Sequence, residues 1–108
     1  MSETKLEHEA YKIGWEVLEE RRAQNTKWGE QNHLDGTGMT HYDTAAAKHA
    51  KELCQDAARR GSVTWRLILQ EEVSEAFAES DLHALRAELI QIAAVAQAWV
   101  EAIDRTRA

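Results

Sequence analysis

The sequence predicts an all-α fold, on three observations. It has no proline in 108 residues and only five glycines. Alanine, leucine, glutamate and arginine, all strong helix formers, are abundant. Apolar residues recur at helical spacing in four separate stretches. Hydrophobic residues make up 44% and charged residues 30% of the chain, the composition of a folded domain and not of a disordered one. The length suits a single domain over residues 1–108, and a core without disulfides is feasible at this size.

The first helix is expected from about Lys5 to about Lys27. Leu6, Ala10, Ile13 and Val17 mark its apolar stripe, which Tyr11, Trp15 and Leu18 widen. From Trp28 to about Tyr42 no period is sustained. Gly29, Gly36 and Gly38 accompany Asn32 and Asp35 there, so a loop is expected, and loops of that length are usually functional. A second helix should run from about Asp43, as N-cap, to Arg60. Its inward face is read as Ala46, His49, Leu53 and Ala57, with His49 a core histidine and Gly61 the residue just past the end. Ser62 or Thr64 opens a third helix to about Ser80, and Asp81 caps a fourth from Leu82 to about Thr106. Only two or three residues join these last two, so they must fold back as an antiparallel hairpin. The expected architecture is a four-helix, bundle-like domain built around that hairpin.

Several classes of function fall away. Cys54 is the only cysteine, which rules out an internal disulfide and a disulfide-built secreted scaffold. The segment Met1–Glu9 is charged and lacks the apolar core of a signal peptide. No stretch approaches the ~20 apolar residues of a membrane span. A cytoplasmic location with no membrane partner is the expectation. A net charge of −6 argues against a nucleic-acid polymer as partner, since such binding needs a basic footprint. Small phosphorylated ligands are compatible with it if divalent cations stand between.

The chemistry concentrates on the hairpin. Trp65, Ile68, Leu69, Val73 and Ala76 form the third helix's apolar face. At ~100° per residue Glu72 falls inside that stripe, Glu75 at its edge and Glu71 further out. On the fourth helix Leu85, Leu89, Ile92, Ala96, Trp99 and Ile103 form the stripe, and Glu88 lies beside it. A carboxylate facing a helical core costs several kcal/mol unless it is paired, protonated or metal-bound. Residues equidistant from an antiparallel turn sit at equal height. Glu75 is therefore level with Glu88, and Glu72 with Gln91. Three carboxylates and an amide oxygen then converge on one groove, a hard-oxygen set suited to Mg²⁺ or Mn²⁺ and not to zinc. A bare row of glutamates at Glu71, Glu75 and Glu79 would by itself be an ordinary solvated face.

Glu72, Val73, Ser74, Glu75, twelve further residues, then Glu88, Leu89, Ile90, Gln91 resembles the ExxE…ExxD motif of the MazG-like all-α nucleoside triphosphate pyrophosphohydrolases. The similarity is strongest over roughly Trp65 to Ile103. Gln91 departs from it, standing where the motif has aspartate and removing one negative charge. The resemblance implies a Mg²⁺-dependent enzyme that hydrolyses a nucleoside triphosphate or related nucleotide to the monophosphate and pyrophosphate. Glu72, Glu75, Glu88 and Gln91 would be the metal ligands. Glu71 would be an outer ligand or would position the attacking water, and the catalytic set would be Glu71, Glu72 and Glu75. It also implies a homodimer or homotetramer, in keeping with the wide stripe of the first helix and with Trp99, Val100 and Ile103.

Gln24, Lys27, Trp28, Gln31 and Asn32 offer a stacking face and paired donor–acceptor edges. The resemblance places base recognition in this part of the chain. Lys48, Lys51 and Arg66 are candidates for the phosphates, because the second and third helices frame the hairpin. Glu30 and His33 form a single E-x-x-H, where a di-iron bundle needs the motif twice. Two other readings stay open: a nucleotide- or partner-binding module of the same fold that has lost catalysis, with Gln91 as its mark, and a helical dimerisation module without chemistry.

Overall fold

Side-chain oxygens set where each helix begins. The computed structural model describes residues 4–107 and holds four helices: α1 (Lys5–Trp28), α2 (His41–Arg59), α3 (Trp65–Ala78) and α4 (Leu82–Arg107). Met1–Glu3, which carry part of the amino-terminal reading, lie outside the described residues, as does Ala108. Thr4 opens α1 with a reciprocal capping box to Glu7. Thr64 Oγ1 accepts from Leu67 N at the start of α3, and Asp81 Oδ2 from Ala84 N at the start of α4. The cap of α2 is Thr40 and not Asp43: the hydroxyl of Thr40 accepts from the backbone of Asp43, which sits one turn inside, where its charge suits the helix dipole. The end of α2 is as expected. Gly61 takes φ +71, and the bonds Gly61 N→Ala58 O and Ser62 N→Ala57 O close a Schellman motif.

Among the described residues there is no strand, and no helix is long and apolar enough to cross a membrane. The chain divides into two compact units. One comprises Asp35–Ala96; the other combines the segment up to Leu34 with the segment from Gln97 onward, so that α4 contributes to both.

In the first of these units α2 packs along α3. Ala50, Cys54, Ala57, Ala76 and Leu85 are its buried apolar residues, mostly small ones that let helix backbones approach closely. The inward face of α2 is thus Ala50, Cys54 and Ala57, one residue round from the expected stripe; His49 and Leu53 are exposed. α3 also ends two residues early, at Ala78. Glu79 Oε1 accepts from Ser80 N and Asp81 N, so the three-residue turn is fastened by its own carboxylate. The preceding loop is tied to this turn. Gly38 N donates to Phe77 O at 2.8 Å, and at φ +66 a Cβ on Gly38 would lie 2.8 Å from Ser80 Cβ.

In the other unit Ile13 is buried on α1, and Glu101 on α4 is the one buried charged residue among those described. Arg105 Nη1 reaches Glu9 Oε2 at 2.8 Å and Glu101 Oε1 at 3.9 Å, linking the two helices. The rest of the expected α1 stripe is uncovered: Leu6, Tyr11, Trp15, Val17 and Leu18 are all exposed. Ile103 of α4 is exposed too; in the part of α4 that belongs to the first unit Leu89 and Ala96 are exposed, and the inward line reads Leu85, Glu88, Ile92 and Val95.

Candidate metal centre

The hairpin register does bring carboxylates together. Glu72, Glu75 and Glu88 each offer an oxygen, and these three atoms lie within 4.8 Å of one another. All three residues are half-buried. Among the described residues this is the only such group of three or more His, Cys, Asp or Glu side chains. The local cause is plain. Glu72 and Glu75 are three apart on α3, hence about 60° apart in azimuth and on one side of the helix. The short turn fixes α4 so that Glu88 faces them.

The environment is unfavourable for bare negative charge. Glu72 Oε2 and Glu88 Oε2 are sealed from solvent and have no hydrogen-bond donor. Burial, followed by the charge of Glu88, holds the carboxyls of Glu72 and Glu75 above the usual carboxylate range. Buried acceptors without donors are uncommon and call for an explanation such as an ion. A hard cation answers both features: it supplies positive charge where three carboxylates repel and a partner where two oxygens have none. The donor set contains only oxygen, which fits Mg²⁺ or Mn²⁺.

Other candidates are placed as follows. Glu71 is half-buried beside the cluster, on the side of α2. There it meets Cys54, whose thiol is pushed up by burial, by its hydrogen bond and charge interaction with Glu71, and by the charge of Glu72. Sequence reasoning passed over Cys54 as a neighbour of the acids. The signal was present in the run Ala50, Cys54, Ala57, spaced four and three. Gln91 is exposed on α4. Lys48, Lys51 and Arg66 are exposed.

The segment around Trp28 belongs to the other unit. Gln24 Oε1 accepts from Arg21 at 2.7 Å, and Lys27 Nζ stands 4.9 Å from the centre of the Trp28 ring. Trp28, Gln31 and His33 line an open hollow. Asn32 donates to Glu30, and the His33 ring meets Gln31 Oε1 at 2.9 Å, so each member of the E-x-x-H pair is engaged elsewhere. A further cavity of about 250 Å³ lies between α1 and the end of α4, lined by Glu9, Lys12, Glu101 and Arg105 among others. It contains none of the expected site residues, and the oriented carboxylates of the hairpin are the better chemical pointer.

Compared with protein-family models, with curated proteins and with solved structures, the chain matches none.

Proposed function

We propose that the protein is a magnesium-dependent nucleotide pyrophosphohydrolase of the MazG-like kind, cleaving a (d)NTP or related nucleotide to the monophosphate and pyrophosphate. One observation carries this reading: three in-register carboxylates on a helical hairpin, with two of their oxygens buried and lacking donors. Glu72, Glu75 and Glu88 would hold the cation, Mg²⁺ or Mn²⁺. Bound there, such an ion neutralises phosphate oxygens and lowers the pKa of a coordinated water. The chain's own residues supply the rest. Glu71, half-buried beside the cluster, would accept a proton from the attacking water or orient it. Lys48, Lys51 and Arg66, long and exposed, are the cations assigned to the phosphates. The exposed indole of Trp28 offers a stacking face of the kind that a base uses.

The reading includes self-association. A helix showing Leu6, Tyr11, Trp15, Val17 and Leu18 to solvent presents the kind of apolar surface that a homodimer or homotetramer covers. It also includes a cytoplasmic location, where the unpaired thiol of Cys54 stays reduced.

The test is product analysis by ion-exchange chromatography. Purified protein is incubated with each common NTP and dNTP in Mg²⁺, in Mn²⁺ and in chelator. Monophosphate and pyrophosphate formed only with metal, and lost in Glu72→Gln, is the expected result. No turnover of any nucleotide, or activity unchanged in Glu72→Gln and Glu88→Gln, would overturn it.

A further inference from the structure

A charge buried in the wall of a cavity needs a counterpart, and the arginine beside Glu101 is already engaged. Glu9 and Ile13, four apart on α1, share one helix face, as do Glu101 and Arg105 on α4. These faces line a cavity of about 250 Å³ within the unit that α1 forms with the end of α4. We propose that this cavity is a binding site for a small organic cation, an aliphatic ammonium or guanidinium, whose head meets Glu101 and whose chain lies against Ile13. The site shares no residue with the hairpin cluster and does not rest on the hydrolase reading.

Three observations lead there. The first is burial. Glu101 is 6% exposed, the one buried charged residue among those described, and it lines the cavity. A carboxylate withdrawn from water is costly unless a countercharge and hydrogen-bond donors take the place of the water. The second is that Arg105 does not supply those donors. Its Nη1 donates to Glu9 Oε2 at 2.8 Å and stands 3.9 Å from Glu101 Oε1, beyond hydrogen-bond reach. The third is the make-up of the walls. Ile13 is buried and apolar, while Asp104, a further acid, and Lys12 line the cavity from exposed positions. With Glu9 and Arg105 paired to each other, Glu101 and Asp104 outweigh Lys12, so the lining favours a cation over an anion. A bare Mg²⁺ would ask for about six oxygens, and the cavity turns one buried carboxylate toward it. An organic cation instead brings N–H donors for that carboxylate and an apolar body for Ile13. The space suffices, since a cavity of about 150 Å³ holds benzene.

Heteronuclear NMR titration of the full-length protein at pH 8 tests this, with putrescine and agmatine as probes and 1,4-butanediol as the uncharged control. The expected result is saturable shifts at the amides of residues 8–13 and 101–105 with either amine, and none with the diol. The Kd should be millimolar or tighter, the range that so few ligand atoms allow. The tighter of the two amines identifies the preferred head group. Glu101→Gln, which keeps the shape and removes the charge, should weaken binding at least about tenfold. Glu72→Gln on the hairpin should leave the Kd unchanged, and Lys12→Met should not weaken it. No saturable shift with either amine, equal binding of the diol, shifts centred on residues 71–91, or an unchanged Kd in Glu101→Gln would overturn the proposal. The mapping uses the unaltered protein, so it decides the matter even where Glu101→Gln folds poorly. Nucleotide turnover is read separately by product analysis, and neither result entails the other.

Discussion

Replacing Glu88 by glutamine should make the metal-free protein more stable. The carboxylate oxygens of Glu72, Glu75 and Glu88 lie within 4.8 Å of one another. At that separation two ionised groups repel by roughly 3.5 kcal/mol at an effective dielectric constant near 20, and by under 1 kcal/mol in bulk water. The half-buried setting lies between these limits. Glu88 takes part in two such pairs, and the raised carboxyls of Glu72 and Glu75 relieve part of the repulsion. The glutamine also brings an N–H donor within reach of the orphaned Glu72 Oε2. A net gain of about 1–3 kcal/mol at pH 8 in chelator follows, and each kcal/mol is worth about 4–8 °C in Tm for a domain of this size. The pH dependence has a definite sign. Glu72 and Glu75 have carboxyls raised above their ordinary value of 4.5. Their contribution to stability is therefore fully present below that value and is lost as pH rises through the folded-state pKa. The variant's advantage should be small near pH 4 and grow toward pH 8. Scanning calorimetry of both proteins across that range, with chelator and with 10 mM Mg²⁺, measures it. Mg²⁺ should raise the Tm of the unaltered protein, more at pH 8 than at pH 5, and leave Glu88→Gln nearly unmoved. A variant equally or less stable in chelator at pH 8 would refute the argument that these carboxylates repel one another in the folded state.

Three further outcomes rest on packing. Ala76 is 1% exposed on α3, in the unit where α2 and α3 pack together, so Ala76→Leu should destabilise by about 1–3 kcal/mol through overpacking, measured by urea denaturation. Gly38→Ala combines a left-handed backbone with a Cβ 2.8 Å from Ser80. It should cost about 1–3 kcal/mol and speed amide exchange at Gly38's neighbours as the bond to Phe77 O is lost. Arg105→Ala removes the countercharge of buried Glu101 and the bridge to Glu9. Since Arg105 itself is half-exposed, the expected loss is about 1–2 kcal/mol, read as a lower urea midpoint, with Glu101→Gln in the same background restoring part of it.

Much of this architecture could be read from the sequence because local rules fix it. Thr64, Asp81 and Gly61 announce helix ends by chemistry that depends only on near neighbours, and a three-residue turn leaves α3 and α4 no choice but to fold back. The level pairing of Glu75 with Glu88 follows from those two facts. The choice among rotations was not legible. Along α2, Ala46, Ala47, Ala50 and Ala57 leave several faces equally apolar, so tertiary packing alone selected Ala50, Cys54 and Ala57. Threonine at 40 and aspartate at 43 are both good caps, and the backbone of one bonds the hydroxyl of the other. Gln91 illustrates the same limit: its height along the hairpin was deducible, its exposure was not. Glu101 is buried beside Arg105, itself bound to Glu9 across 96 positions, a separation at which no local pattern speaks.

The self-fastened turn at Glu79–Asp81 acts as a phase lock. Inserting one residue there would advance every side chain of α4 by about 100° and 1.5 Å relative to α3. Glu88 would swing out of the cluster and Ala87 would take its place, although every helix and cap survived. Four added residues would overshoot by about 40°, and seven would return nearly to phase but two turns too far along. The cluster therefore depends on the length of three residues that take no part in it. Descendants of this sequence can drift widely elsewhere, but a length change at this turn is a change of frame, and point substitutions cannot undo it.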